Sequence, residues 1–373
     1  MKTILGLGTL MILGAVLLLV MRPTTVEAGT DAATGDFKVL APISHGNLTI
    51  FPVVAAKVHD TSGFITLDEG IHSGDVTVTE VGKIHSILRR RPQAYVPSGG
   101  AEVNRLVLIN NSRRPLILLA GEVVTGGKQD RLVGKDRIVP AESDPVDLSV
   151  FCVEHGRWVE SSAKFDTHAS VMVQPSVRKE AMVAKDQQKV WDEVQNSQQN
   201  LAAKVAAAPG VAGGSSNDAY VRELNGTSSY AKIRENKAVQ KEVEDITEPM
   251  QKSFESVIKQ LRDQNAVGVV VAVKGRIIWA DIFASNNLLS KYWPKLLQSY
   301  AAEALSVSGD HGNADLKAAQ TFVNDWQARH EVVESEPGLY RQTEMTGDKF
   351  KAFQLTSLLP KQNFDVHVSK MAE

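Results

Sequence analysis

The densest concentration of groups able to do chemistry is Gly121-Glu122-Val123-Val124-Thr125-Gly126-Gly127-Lys128-Gln129-Asp130-Arg131, directly after an apolar segment. Paired glycines let backbone amides approach a ligand, and Lys128 and Arg131 can neutralise phosphate or carboxylate. The run is no Walker loop, because Gly-Lys-Ser/Thr is missing and no strong helical pattern follows. Its plain alternative is a turn or bulge with solvated charges. The second concentration is Cys152-Val153-Glu154-His155-Gly156-Arg157-Trp158. A cysteine beside a histidine invites a nucleophile. Strand alternation instead puts Cys152 on the face of Leu148 and Val150, with His155 on the other, so the thiol reads as core. Glu154 and Arg157 are the better ligand candidates, against a plain reading of an ion pair tying a turn beside a packing Trp158. Asp281 shares a strand face with Ile277, Trp279 and Phe283, so it needs a charged partner or a place at a strand end.

Other chemistries find less support. The nine histidines include no His-Glu-x-x-His and no pair at helical ligand spacing. Cys152 is the only cysteine, which excludes an internal disulfide and a multi-cysteine zinc site. No metal and no cofactor are expected, and no catalytic residue is assigned. Arg89-Arg90-Arg91 lacks interleaved aromatics and reads as a solvated turn. With 41 Lys+Arg against 43 Asp+Glu, the chain has no broad basic footprint, so nucleic acid is not an expected partner.

The elements that must position these residues fall into three stretches. From Phe37 to Trp158, short β-rich runs alternate with Gly, Pro, Asn and Asp. The predicted strands are Leu48–Val54, Phe64–Leu67, Val76–Val81, Val103–Ile109, Leu116–Ala120, Arg137–Val139 and Val146–Val153. Arg105–Ile109 and Leu116–Ala120 flank a polar turn and predict an antiparallel hairpin. Ser176 predicts the cap of a helix over Val177–Val205, and a second helical tract follows from Ser229 to Arg262, broken near Pro249. Pro209-Gly210 and Gly213-Gly214-Ser215-Ser216 make a loop between them. Then Val267–Val273, Lys274-Gly275 and Arg276–Phe283 predict a hairpin, and the apolar stripe Leu288–Tyr300 a helix docked on a sheet, with Pro294 as kink or start. Leu316–Arg329 reads as a helix and Val332–Val368 as hairpins around Thr346-Gly347-Asp348. The fold class is α+β: an N-terminal antiparallel, sandwich-like β region (29–175), a polar helical middle (176–265) and a C-terminal hairpin-plus-helix region packed on the sheet (266–373). Residues 37–373 as one composite domain is the alternative division.

The first residues set the expected compartment. Lys2 precedes an uncharged run from Thr3 to Met21, and Val26-Glu27-Ala28 has small residues where an export peptidase cuts. Residues 1–28 read as a signal peptide, with a retained anchor over 3–21 as the competing reading. Either way the bulk is exported, to the periplasm or the outside, and any membrane contact runs through that segment alone.

Several blocks, in order, resemble the ADP-ribosylglycohydrolase (ARG) and rhodanese-phosphatase-superfamily-associated protein domain family. They are Thr66-Leu67-Asp68-Glu69-Gly70, Val78-Thr79-Glu80, Leu108-Ile109-Asn110-Asn111-Ser112, Ala120-Gly121-Glu122, Gly127–Arg131, Cys152–Trp158, Asp186–Trp191, Gly268–Phe283 and Tyr292-Trp293-Pro294-Lys295-Leu296-Leu297. The family is uncharacterised. Its name implies a role near ADP-ribose derivatives, which makes Glu122, Lys128, Gln129, Arg131, Glu154 and Arg157 candidates for contact with an anionic, nucleotide- or ADP-ribose-like small molecule, all six in one pocket. The alternative is a non-enzymatic envelope interaction protein. A third reading, hydrolysis with Glu122 or Glu154 as general base, is allowed by residue type.

Overall fold

Antiparallel pairing gathers strands from both ends of the chain into one sheet in this computed structural model. It describes residues 37–86, 88, 100–167, 171–208, 217–307, 309 and 312–373. The apolar run 3–21, the cleavage-like Val26-Glu27-Ala28, Arg89-Arg90-Arg91 and the glycine-rich loop at 209–216 lie outside the described residues.

The large sheet runs in the order Lys38–Val39, Leu48–Ala55, Asn265–Val273, Arg276–Phe283, Gln362–Ala372, Phe350–Leu359, Tyr340–Gly347 and Ala328–Glu336, with Ile43–His45 on Leu48–Ala55. Its centre is valine-rich because both faces are covered. Val269, Val271, Trp279 and Phe283 meet the helical layer on one side. Val270, Ala272 and Ala280 meet the helix Leu316–Asn324 on the other. The expected hairpin turns at Lys274 and Gly275, whose φ values of 52° and 80° suit the tight turn that follows strand twist. Helix Asn286–Ser306 packs on that hairpin. Ser285 caps its start and it passes through Pro294, so the proline marks no late start.

Two smaller sheets make the sandwich-like part. One orders Val76–Thr79, Arg105–Asn110, Val146–Cys152, Arg131–Val133 and Val123–Val124; the other orders Arg137–Val139, Leu116–Leu118 and Ile65–Thr66. Their apolar side chains, Val78, Leu108 and Val150 with Leu116, Leu118 and Val139, share one core. The predicted hairpin between Arg105–Ile109 and Leu116–Ala120 does not form, since the two strands lie in different sheets. Asn110 is the physical reason. Its amide donates to the carbonyls of Arg114 and Pro140 at 2.8 and 2.9 Å, and its Oδ1 accepts from Ser112 N at 3.0 Å. The chain is thereby turned out of one sheet into the next.

The helices differ from expectation at their ends. Thr66 and Glu69 form a reciprocal capping box that ends the strand at Thr66, one residue short of the expected Leu67, and starts the unpredicted helix Leu67–His72. Helix Pro175–Lys179 starts after Gln174, which makes no side-chain cap bond, rather than after Ser176, and passes into a π turn over Glu180–Ala184. It stops at Lys185, in left-handed backbone at φ 52°, before Asp186 caps Gln187–Ala207. An unpredicted helix, Asp218–Asn225, precedes the second tract, which breaks at Asn236 rather than at Pro249. Asn236 caps Lys237–Gln260, which continues through the proline. Among the described residues no helix is long and apolar enough to cross a membrane.

Candidate functional site

The Gly126-Gly127 loop holds an anion, but the anion is the protein's own. Gly126 N donates to Asp130 Oδ1, and Lys128 N to Glu80 Oε1, each at 3.1 Å. A side chain at Gly127 would sit 2.3 Å from Phe165 Cζ and 2.7 Å from Glu80 Oε1, so only glycine admits this closeness. Arg157 reaches back over the loop. It pairs with Glu154 at 2.5 Å and Asp130 at 3.3 Å, and donates to the carbonyls of Gly127 and Val159 at 3.0 and 2.8 Å. Glu154 also accepts from Asp130 N at 3.1 Å, while Gln129 donates to Glu154 O at 3.0 Å. Burial, then the charge of Glu154, pushes the Asp130 carboxyl up.

Of the six candidates, this arrangement brings together Gln129, Glu154 and Arg157. Arg131 is next to them and fully buried, donating to the carbonyls of Asp130 and Glu102 at 3.4 Å; burial pulls its guanidinium down. The ammonium of Lys128 lies 5.0 Å above the ring of Trp158, which is 43% exposed and so is no buried anchor. Glu122 turns elsewhere. Its two oxygens take Lys295 and, at 2.7 Å, the amide of Leu119. Lys295 also reaches Asp68 at 2.7 Å. Burial raises the Glu122 carboxyl, whereas for Lys295 the two carboxylates overcome burial and hold the ammonium up. Cys152 is buried, its thiol donating to Glu154 O at 3.2 Å, and burial pushes it up.

A buried chain of charge, of which the sequence singled out only Asp281, runs close by. Ala120 N donates to Asp136 Oδ1 at 2.7 Å, and Asp136 Oδ2 meets His367 Nδ1 at 2.6 Å. His367 Nε2 reaches Asp281 at 3.1 Å, and Arg178 grips Asp281 with both nitrogens at 3.0 and 3.2 Å. Ser369 and Tyr300 complete the shell of Asp281. A side chain at Gly121, where φ is +93°, would lie 2.6 Å from Arg178 Cγ. Burial pushes Asp281 up, but Arg178 and His367 outweigh it and hold the carboxyl far below its usual range. Burial would lower His367; the two carboxylates instead hold the imidazole at about 9. His367 carried no sequence signal beyond a polar ring between Val366 and Val368, Asp136 was masked by its charged neighbours Lys135 and Arg137, and Arg178 was hidden in a polar-rich helical tract.

None of the six candidates lines the open cavities at Lys135, Glu303 and Trp191. The largest of these three, about 380 Å³, is where the five-stranded sheet, the π turn and the last strands of the large sheet meet. Val150, Ala181, Met182 and Phe353 give it a buried apolar floor. Lys135 pairs with Glu334 at 2.5 Å and Lys185 with Glu344 at 2.8 Å along its walls. Among the described residues no group of three or more His, Cys, Asp or Glu is placed to hold a metal ion.

The ARG and Rhodanese-Phosphatase-superfamily-associated Protein domain matches residues 36–371. The chain belongs to this family. No curated protein and no solved structure matches the chain. The blocks that carry the family resemblance touch one another in space. Lys295 meets both Asp68 and Glu122; Gln187 takes both backbone polar groups of Cys152 at 2.8 and 2.9 Å; His155 meets Trp191. In this member, those contacts tie the sandwich-like sheets to the helical layer.

Proposed function

We propose that this family member binds a small anionic molecule with an apolar part, held in the cavity between Lys135 and Lys185. The observation that carries the reading is the pairing of two lysines with glutamates above an apolar floor, each pair having one solvent-exposed partner, Glu334 in one and Lys185 in the other. Side chains of Glu334 and Lys185 are 60% and 61% exposed, so these ion pairs stabilise the fold by only ~0–1 kcal/mol. A ligand phosphate or carboxylate replaces the glutamates at little cost and gains charge-assisted bonds, while its apolar part covers the floor. About 380 Å³ falls within the range of small-molecule sites. Lys185 is aimed by two local departures, a π turn and left-handed backbone, of the sort that collect at functional positions.

The family description, which names ARG, supports nucleotides and ADP-ribose-like molecules as the first class to test. The motif charges serve in this proposal as framework, and the activity is binding rather than hydrolysis, because both oxygens of Glu122 and the carboxylate of Glu154 are already taken. A thermal-shift screen of the full chain with nucleotides, sugar phosphates and matched neutral nucleosides tests this. A true ligand at a hundred times its Kd stabilises by about 2.7 kcal/mol. Equal response to phosphorylated and neutral members removes the role of the lysines. Export is part of the same proposal, supported by Lys2, the uncharged run to Met21 and Val26-Glu27-Ala28.

A further inference from the structure

A smaller cavity, of about 190 Å³, opens where two family blocks dock on each other. Helix Gln187–Ala207 presents Gln188, Trp191, Asp192 and Gln195 to it, at the three- and four-residue spacing of one helical face. His155 closes one side, its ring meeting Trp191 edge-on with centroids 4.5 Å apart and planes at 76°. Ser228 closes another and holds the backbone of His155 at 2.5 Å. The helix is fixed against this wall, since Gln187 hydrogen-bonds both backbone groups of Cys152 and Gln198 donates to the carbonyls of Leu224 and Thr227. The platform is therefore built before any ligand arrives.

The lining decides the class of ligand. Among the described residues it holds one carboxylate, Asp192, and no lysine or arginine, so it does not suit a phosphate. Amides and a hydroxyl dominate, beside a half-buried indole. Amides and a carboxylate exchange hydrogen bonds with hydroxyl groups, and an indole offers a flat apolar surface to a C–H face. The volume lies below the roughly 300–1,000 Å³ of drug-sized pockets, which limits the occupant to about one ring. We infer that this cavity binds a single neutral sugar ring, its C–H face on Trp191 and its hydroxyls on Asp192, Gln188 and Gln195. The site is separate from the Lys135–Lys185 cavity and stands or falls independently of it.

Indole N–H resonances of the full-length, isotope-labelled protein report the test during titration with glucose, galactose, N-acetylglucosamine and choline. At least one sugar gives a saturable shift of the Trp191 signal, which is assigned by its loss in Trp191→Phe. Asp192→Asn, at an exposed position that leaves packing intact, weakens that sugar about tenfold, and Gln195→Ala weakens it several-fold. The inference is overturned if no sugar moves the Trp191 signal at millimolar concentration. It is equally overturned if Asp192→Asn binds as well as the unaltered chain, or if choline saturates the site and the sugars do not.

Discussion

Arg178 and Asp281 show how a single charge forces its surroundings. A carboxylate on an apolar strand face predicts a partner, and that much was legible in Ile277, Trp279 and Phe283. The partner was not, because Arg178 lies 103 residues away in a polar-rich helical tract where one more arginine carries no signal. The same holds for Glu154 and Arg157, whose three-residue spacing already admitted an ion pair, while Asp130 and the loop carbonyls that complete it became visible only in space. Arg178→Ala strips the buried Asp281 of its bidentate cation, leaving it His367, Ser369 and Tyr300, and is expected to cost about 3–5 kcal/mol in equilibrium unfolding. Retention of full stability would show that the pair does not organise this region. His367 supplies the pH test. Its folded value of about 9 lies above the ordinary 6.5, so its stabilisation is fully present below 6.5 and is lost as pH rises through 9. The loss is on the order of 3 kcal/mol. Stability that is flat between pH 6.5 and 9.5 in the native chain, or that still falls in His367→Gln, contradicts this assignment.

Elements were most legible where apolar periodicity was strong and least where a short polar side chain redirected the backbone. The valine run, its Lys274-Gly275 turn and the Leu288–Tyr300 stripe gave the hairpin and its helix. Asn110 and Asn236 were opaque, since an asparagine can turn a chain, cap a helix or do neither, and only its distant partners decide. Pro249 misled for a related reason: a proline costs a helix one hydrogen bond, which a long packed helix tolerates. Trp293 tests the helix–helix contact. It is 4% exposed and stacks on Phe254 with centroids 4.1 Å apart. Trp293→Ala is expected to lower stability by about 3–5 kcal/mol. A loss below about 1 kcal/mol would mean that this stack is not part of the core.

Across the whole molecule, charge falls into two classes that sequence alone did not separate. Buried charges, from Glu122–Lys295 to Asp136–His367–Asp281–Arg178, join the sandwich-like sheets to the large sheet and the helices. Partly exposed pairs, Lys135–Glu334 and Lys185–Glu344, line the open cavity. Motif density pointed to the first class, because folding frameworks and ligand sites use the same residue types; cavity shape points to the second. Export is checked by N-terminal mass spectrometry of the protein from its native envelope, which is expected to find Gly29 first; an intact Met1 in a soluble cytoplasmic fraction would contradict it. The most direct measurement of the central claim is calorimetric titration of ADP-ribose, or of the strongest anion from the screen, into four versions of the full chain. Lys135→Ala and Lys185→Ala are each expected to weaken binding by roughly 1.5–3 kcal/mol with little change in stability, while Lys128→Ala binds like the unaltered chain. Loss of binding in Lys128→Ala, with normal binding in the other two, would return the ligand to the Gly126-Gly127 loop and contradict the account.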